Sequence, residues 1–295
     1  METSKHMENK LKVAFPQQNN HREYPTRIYC FNKTWDIHDD DYKKNRPCYF
    51  HPTIDKFPLE PWAETLNPSC SELDWKNKYS YELKGTLFDR GKFELCTYKT
   101  KLGEYTSFLP LNPRGRQGIG GRGLLGKWGP NHAADPIVTC FNPETNDLEI
   151  LMIERTDTPG IWALPGGMRD KDECLSKTVI RELKEETNAI LDISDAKLVY
   201  KGYTADQRNT DHAWLETAAY HFHIDENKRN ILVNTIVAAD DACKVKLIIA
   251  DDSNPDYKFM YGGHYDFVNP VVKKLKQKNV VNNSSKGFLP WLFGF

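Results

Sequence analysis

The sequence has no Cys-x-x-Cys pair, no long apolar run and almost no net charge. Seven cysteines are scattered singly along 295 residues, so neither a zinc site nor a disulfide framework is indicated, and reduced thiols are expected. No apolar stretch approaches the ~20 residues that span a bilayer, so we expect no transmembrane segment. The formal net charge of −1 argues against nucleic acid as the main partner.

The first thirty residues mix basic and acidic side chains and contain no apolar stretch. That composition excludes a secretory signal, and a mitochondrial presequence should be Arg-rich and poor in acids. We therefore expect a cytoplasmic protein rather than a mitochondrial one. The apolar content of 39% with balanced charges is typical of a globular protein of one or two domains, which we expect to be a monomer.

Composition divides the chain into four parts. Residues 1–40 predict an irregular arm, and residues 41–125 predict a small β-containing domain that ends in a Gly-rich linker. Residues 126–280 form the main domain, and residues 281–295 are a polar linker with an aromatic tail. The tail either folds back on the body or contacts a membrane surface or a partner.

Strands and helices alternate in the main domain, which predicts an α/β fold. A helix is expected between the second and third of five predicted strands, and another over 269–278, near Pro270. The predicted strands are Ile137–Phe141, Glu149–Ile153, Leu198–Tyr203, Ala213–His223 and Val245–Ala250.

The Gly-rich segment contains a literal match to the dinucleotide-binding fingerprint Gly-x-Gly-x-x-Gly, at Gly118, Gly120 and Gly123. That fingerprint must lie between a strand and a helix. Pro113 precedes it and Pro130 follows closely, so no helix is expected to begin there. We therefore reject a Rossmann-type site.

The most informative pattern is Gly167-x5-Glu173-x7-Arg-Glu-Leu-Lys-Glu-Glu, which ends at Glu186. With ~100° per residue, Glu185 and Glu186 fall about 60° and 40° to either side of Glu182 on one helix. Like charges so close repel each other, whereas a hard divalent cation prefers several oxygen ligands. The alternative is an acidic, solvated helix face. We expect the helix face that carries the three glutamates to be exposed to solvent.

This pattern resembles the Nudix box, the signature of hydrolases that cleave a nucleoside diphosphate linked to a further group. The resemblance implies an α/β/α sandwich with a mixed sheet, and Mg²⁺ (or Mn²⁺) at Gly167 and three glutamates. It also implies a catalytic role for Arg181 and supporting roles for Glu173 and Gly166. The implied metal ligands and catalytic glutamates are Glu182, Glu185 and Glu186.

Local sequence adds two expectations about the box helix. Asp170 or Asp172 is a candidate for its N-cap. The box of the family ends in Glu-Glu-x-Gly, whereas Asn188 stands here in the place of the glycine. Asn tolerates the left-handed conformation of a helix end, so we expect the turn to be preserved.

Four further stretches, within about residues 110–270, are similar to the ADP-ribose pyrophosphatase branch and to the ADP-ribose-sensing domain of melastatin-type channels. They are Asn112–Ile137, Tyr200–Thr217, Asp240–Lys246 and Tyr261-x-x-His264. The resemblance implies hydrolysis of ADP-ribose to AMP and ribose 5-phosphate, with Asp206, Arg208, Tyr261 and His264 lining the substrate.

Two alternatives to this function stay open: a non-catalytic ADP-ribose sensor, and a hydrolase of another nucleoside diphosphate derivative. The general base is also open. It is either Glu185 or Glu186, or a residue outside the box such as Asp211 or Glu216.

Overall fold

The computed structural model describes residue 64 and most of the chain from residue 93 to residue 286. Within that span it leaves out residues 101–102, 115–116, 118–119, 171–172, 190, 193–194, 207 and 241. The predicted arm over 1–40, most of the predicted N-terminal domain and the aromatic tail lie outside the described residues.

Nine strands and four helices are assigned in this part of the chain. The strands are β1 Phe93–Thr100, β2 Gly103–Pro110, β3 Gly129–Phe141, β4 Leu148–Arg155, β5 Trp162–Ala163, β6 Gly167–Met168, β7 Lys197–Tyr203, β8 Ala213–His223 and β9 Ala242–Ile249. The helices are α1 Leu175–Thr187, α2 Glu226–Thr235, α3 Pro255–Lys258 and α4 His264–Lys286.

Seven of these strands form one mixed sheet, as predicted. Its central order is β5-β4-β3-β8-β7, with β6 paired to β3 and β9 paired to β4. The β3–β8 pair is parallel, and the other pairs are antiparallel. β1 and β2 make a separate antiparallel hairpin. None of the described helices has the length and apolarity needed to cross a bilayer.

Helices cover the two faces of the sheet, so the described architecture is an α/β/α sandwich. On one face, Ile137 and Met152 pack with Phe267 and Val268 of α4. On the other face, the apolar cluster includes Leu183 of α1 and Leu232 of α2. β4 lies between β3 and β9 and is buried along nearly its whole length. A strand covered on both faces reads as a continuous apolar run, as Ile150–Ile153 does.

The last helix differs from its prediction at both ends. It begins at His264 rather than near residue 269, and it extends through Lys286, into the segment expected to be a linker. Pro270 lies inside it. Proline removes one helical hydrogen bond, and burial of Val268 and Val272 against the sheet offsets that loss. Helix α2 was not predicted, although Asp225 accepts a hydrogen bond from the Lys228 amide as its N-cap.

The described part of the Gly-rich segment, residues 120–128, contains no helix. It supports the loop between β7 and β8 instead. The Gly121 amide donates to His212 Nδ1 at 2.9 Å, and the Thr210 hydroxyl donates to the Gly121 carbonyl at 2.5 Å. The segment therefore fixes the loop that carries Asp206 and Arg208.

Candidate active site

A tight turn joins β5 to β6 and brings the backbone close to buried side chains. Gly166 has φ +151°, and a Cβ at this position would lie 2.2 Å from Asp135 Oδ1. A Cβ on Gly167 would lie 2.4 Å from Glu182 Oε1. Any side chain at either position would displace a cavity carboxylate, so both positions require glycine.

Helix α1 carries the box residues, and its two ends differ in how well they were predicted. Its N-cap is Cys174, which makes no side-chain capping bond. The prediction that Asp170 caps the helix was therefore wrong. Asp172, the other candidate, lies outside the described residues. Thr178 on the first turn bonds Glu173 instead, at 2.8 Å. The prediction for the C-terminal end is confirmed, since Asn188 has φ +54°.

The three box glutamates are not equally exposed. Glu182 and Glu186 are buried, at 7% and 2% exposed, whereas the Glu185 side chain is 45% exposed. The expectation of an exposed face was therefore wrong for two of them, because the turn at Gly166 and Gly167 covers that part of the helix. The Gly166 amide donates to Glu186 Oε2 at 2.8 Å. Burial raises the pKa of Glu182 to about 7, against the opposing effect of Arg181.

Arg181 connects the supporting and the acidic parts of the box. Its Nε and Nη2 donate to Glu173, and Nη2 also donates to the Met168 carbonyl. Its Nη1 donates to Glu182 and Glu185, at 2.8 Å each. All five N–H groups of the guanidinium are thus used. Hydrogen bonding to Arg181 lowers the pKa of Glu173, so that carboxylate stays ionised.

The donor chemistry of this face suits a hard cation, but the oxygens are arranged around Arg181. Among the described residues, no three His, Cys, Asp or Glu side chains are placed to hold one metal ion. Carboxylate oxygens are the ligands that Mg²⁺ and Mn²⁺ prefer. Glu182, Glu185 and Glu186 would supply such oxygens to a bound ion. In their chemistry the residues therefore fit such an ion.

The loop after β7 forms the opposite side of the site. Arg208 donates from Nε and Nη2 to the two oxygens of Asp206, both at 2.9 Å. Burial acts to lower the pKa of Arg208, but the charge of Asp206 outweighs it and raises that pKa. Tyr261 donates to Asp206 at 3.4 Å, and the Leu164 amide donates to His264 Nδ1 at 3.2 Å. Burial lowers the pKa of His264, which favours the neutral ring.

A cavity of about 220 Å³ lies between these two sides. Every predicted site residue except Glu173 lines it. Those residues are Gly166, Gly167, Arg181, Glu182, Glu185, Glu186, Asp206, Arg208, Tyr261 and His264. The fold therefore brings together residues that lie up to 98 positions apart in the sequence (166 to 264).

Three charged residues of the cavity were missed from sequence. Asp135 is buried and accepts from the Thr217 hydroxyl at 2.5 Å, and burial raises its pKa. Arg155 ends β4 and lies over Tyr261, with Cζ 5.9 Å from the ring centroid. Asp240 lies on the loop before β9. Asp135 and Asp240 stood within the stretches used for the resemblance, but no local pattern marked them as site residues.

Two residues considered as general bases lie outside the cavity. Leu215 and Thr217 line it, and side chains alternate along a strand, so Glu216 points to the opposite face. Glu216 accepts from Trp214 Nε1 at 3.0 Å. Asp211 accepts from the Gln117 amide at 2.5 Å and belongs to the Gly-rich support.

Comparison with known proteins finds two family models that match the chain. Residues 130–259 match the model of the NUDIX domain, and residues 32–129 match that of a NUDT9-like N-terminal domain. A Caenorhabditis elegans protein described as a nudix hydrolase, number 6, is 38% identical over 239 residues, which cover 76% of this chain and 82% of the relative.

Two other relatives match a little over half of the chain. The mitochondrial ADP-ribose pyrophosphatase of Rattus norvegicus is 39% identical over 194 residues, covering 56% of this chain and 54% of the relative. A Nematostella vectensis transient receptor potential cation channel, subfamily M member-like 2, is 37% identical over 191 residues, covering 56% of this chain and 12% of the channel. The chain thus spans about half the length of the rat relative.

Proposed function

The chain belongs to the Nudix hydrolase family, and from this premise we propose that it hydrolyses the pyrophosphate of ADP-ribose to AMP and ribose 5-phosphate. One observation carries the proposal: a single cavity is lined by the box carboxylates on one side and by the Asp206–Arg208 pair on the other. The first side is suited to a cation and a pyrophosphate, and the second to the hydroxyl groups and phosphate of a sugar.

Members of the family generally use divalent metal ions, and we propose Mg²⁺ or Mn²⁺ at Glu182, Glu185 and Glu186, next to Gly167. When bound, such an ion would neutralise phosphate oxygens and would make a bound water more acidic. The chain's own groups do the rest. Arg181 and Glu173 hold the helix carboxylates in register, and the Gly166 amide orients Glu186.

The loop side positions the substrate. Arg208 is held by both oxygens of Asp206, so its remaining N–H groups are pre-oriented towards phosphate or hydroxyl oxygens. Neutral His264 and the Tyr261 ring form the wall next to it. Hydrolysis follows when water attacks one phosphorus in line and the bond from that phosphorus to the bridging oxygen breaks.

The choice of ADP-ribose among nucleoside diphosphate derivatives is supported by the printed names of two relatives. The rat protein is named an ADP-ribose pyrophosphatase, and so is a Methanocaldococcus jannaschii protein that is 39% identical over 75 residues. Channel relatives also match, which keeps a non-catalytic sensor as the second candidate. The complete set of box acids favours turnover, because sensing alone does not require them. A cytoplasmic location and a monomeric state stay predictions.

The test is incubation of the purified protein with ADP-ribose and Mg²⁺, with AMP and ribose 5-phosphate measured by chromatography. We expect both products in equal amounts, and their loss in Glu186→Gln. Thermal stabilisation by ADP-ribose without product would show a sensor. If ADP-ribose neither stabilises the protein nor reacts, and another nucleoside diphosphate derivative is cleaved, the proposed substrate is wrong.

A further inference from the structure

The outer part of helix α4 extends beyond the core of the molecule. The inner side of the helix packs on the sheet through an apolar cluster, and Leu275 is the last described residue that contacts this cluster. At ~1.5 Å per residue, the helix continues for about 16 Å from Leu275 to its end at Lys286. Val280 and Val281 lie on this outer part, at 65% and 66% exposed. They are the most exposed large apolar side chains in the described part of the chain.

The solvent side of α4 carries positive charge. Lys273, Lys274 and Lys278 are exposed. With ~100° per residue, they lie together with Val281 within about 140° of the helix circumference. Within the described residues these three lysines take part in no ion pair, whereas Lys276, at the edge of this face, pairs with an aspartate of the body at 2.7 Å. The three charges are therefore available to a partner.

The positive charge belongs to a longer segment that contains no acidic residue. Residues 267–295 include five lysines and neither Asp nor Glu, so their formal charge is +5 in a chain whose net charge is −1. The rest of the chain is therefore net acidic. Residues 288–295 lie outside the described residues, and their sequence contains four aromatic side chains and two leucines. A basic helix face is thus followed directly by an apolar, aromatic sequence.

We propose that the exposed face of α4 and residues 288–295 bind to the surface of an anionic lipid bilayer. Lysines close to such a surface are attracted by the charge of the headgroups. Aromatic and leucine side chains enter the boundary between headgroups and acyl chains, and segments that bind at the membrane surface combine these two contributions. The same surface repels the net acidic remainder of the chain, which favours contact through this end of α4.

The proposed contact lies far from the cavity. His264 begins α4 and lines the cavity, whereas Val281 lies about 25 Å further along the helix axis at ~1.5 Å per residue. A chain bound to lipid through this end keeps its cavity open to a substrate from solution. The inference does not depend on the proposed hydrolysis, and changes at the outer end of α4 should leave turnover of ADP-ribose unchanged.

The test is co-sedimentation of the full chain with vesicles of phosphatidylcholine alone and of phosphatidylcholine mixed with phosphatidylserine. We expect binding to the mixed vesicles that weakens as salt is added, and binding at least ~10-fold weaker without phosphatidylserine. The combined variant Lys273→Gln, Lys274→Gln and Lys278→Gln should bind the mixed vesicles on the order of 10²-fold more weakly. Trp291→Ser combined with Phe293→Ser should weaken binding by at least ~10-fold, because apolar side chains no longer enter the lipid.

A matched control removes the same charge elsewhere, through Lys177→Gln, Lys197→Gln and Lys228→Gln at exposed positions outside α4. It should bind like the wild type, and an equal loss in this control would overturn the assignment to α4. Absence of wild-type binding to the mixed vesicles would overturn the proposal outright, and a lowered melting temperature of the Trp291 and Phe293 variant would then show that the aromatic sequence packs on the body. Unchanged binding in that variant would overturn the role of residues 288–295. Failure to cleave ADP-ribose would overturn the proposed function alone, because vesicle binding is measured without substrate.

Discussion

The two sides of the cavity differ in how their charges are balanced. On the box side, three glutamates face one guanidinium, that of Arg181. On the loop side each arginine has its own aspartate: Arg208 is paired with Asp206, and Arg155 with Asp157. One side therefore has more anions than cations, whereas the other is neutral as built.

This difference shows how the two sides can divide the work. An excess of buried negative charge is unfavourable unless a cation joins it, so the box side is incomplete without an added ion. The loop side is neutral and fixed by its own hydrogen bonds, so it can orient a ligand without rearrangement. We expect changes on the box side to affect turnover, and changes on the loop side to affect substrate affinity.

The largest effect is expected from Glu186→Gln. Gln can still accept from the Gly166 amide, as Glu186 does at 2.8 Å, so we expect the fold to persist. It is a poorer ligand for a hard cation, so turnover should fall by ~10³-fold. The measurement is the initial rate of AMP release, with circular dichroism to check the fold. Glu144→Gln, on an exposed turn, is the matched control, and equal rates in the two variants would contradict the assignment.

Gly167→Ala should come next. The new Cβ would lie 2.4 Å from Glu182 Oε1 and force that carboxylate to move. A displacement of about 1 Å at a reacting centre costs on the order of 10²-fold in rate. We expect a loss of that size in kcat and weaker Mn²⁺ binding by calorimetry. Gly160→Ala is the control for a glycine replacement that strains the backbone, at φ +82°, but brings no atom within 4 Å of the new Cβ. Unchanged kcat in Gly167→Ala would remove Glu182 from the metal site.

Arg208→Lys tests the loop side. Lysine keeps the charge but loses the two-pronged contact with Asp206. We expect KM for ADP-ribose to rise ~10-fold, equivalent to about 1.4 kcal/mol, with kcat much less affected. Arg229→Lys is the matched control, because Arg229 pairs with buried Glu149 outside the cavity. A change in kcat rather than KM would contradict the division between the two sides.

The smallest effect concerns His221, which lies outside the cavity. Its Nε2 forms a hydrogen bond with the Thr139 hydroxyl at 2.9 Å. Burial lowers the pKa of His221 to about 4 from an ordinary 6.5. Between these two pH values, His221 is protonated in the unfolded chain and neutral in the folded chain. Burial of His221 therefore costs no free energy of unfolding above pH 6.5, and the free energy of unfolding decreases as the pH falls towards 4.

We expect His221→Gln to flatten this dependence. The melting temperature of the wild type should fall faster between pH 6.5 and 4.5 than that of the variant, by about 2–4 °C. Parallel melting curves at all pH values would show that burial of His221 carries no proton linkage. Activity at pH 7.5 should be equal in both, because neither side of the cavity is touched.

The shared face of the box glutamates could be predicted from sequence, because their spacing along one helix determines it. One helical period fixes the face on which Glu182, Glu185 and Glu186 lie, and Asn188 marks the helix end. Burial could not be read in the same way. Glu182 and Glu186 are covered by the turn at Gly166 and Gly167, a contact between segments about 20 positions apart.

Other parts of the site depended on the sheet register. Asp135 and Arg155 come from two different strands, and only the pairing of these strands with their neighbours brings both to one cavity. The early start of the last helix at His264, six residues before Pro270, also reflects packing against the sheet rather than a local signal. Helix α2 is different, because Asp225 is a local N-cap signal that the sequence itself contains.

The most direct test is the rate of AMP release from ADP-ribose as Mg²⁺ is added to chelator-treated protein. Because the box side has an excess of carboxylates and the loop side is neutral, we predict almost no release without a divalent cation, and a rate that rises to saturation with Mg²⁺. An undiminished rate after chelation would contradict the account, since the carboxylates of the box would then need no added cation.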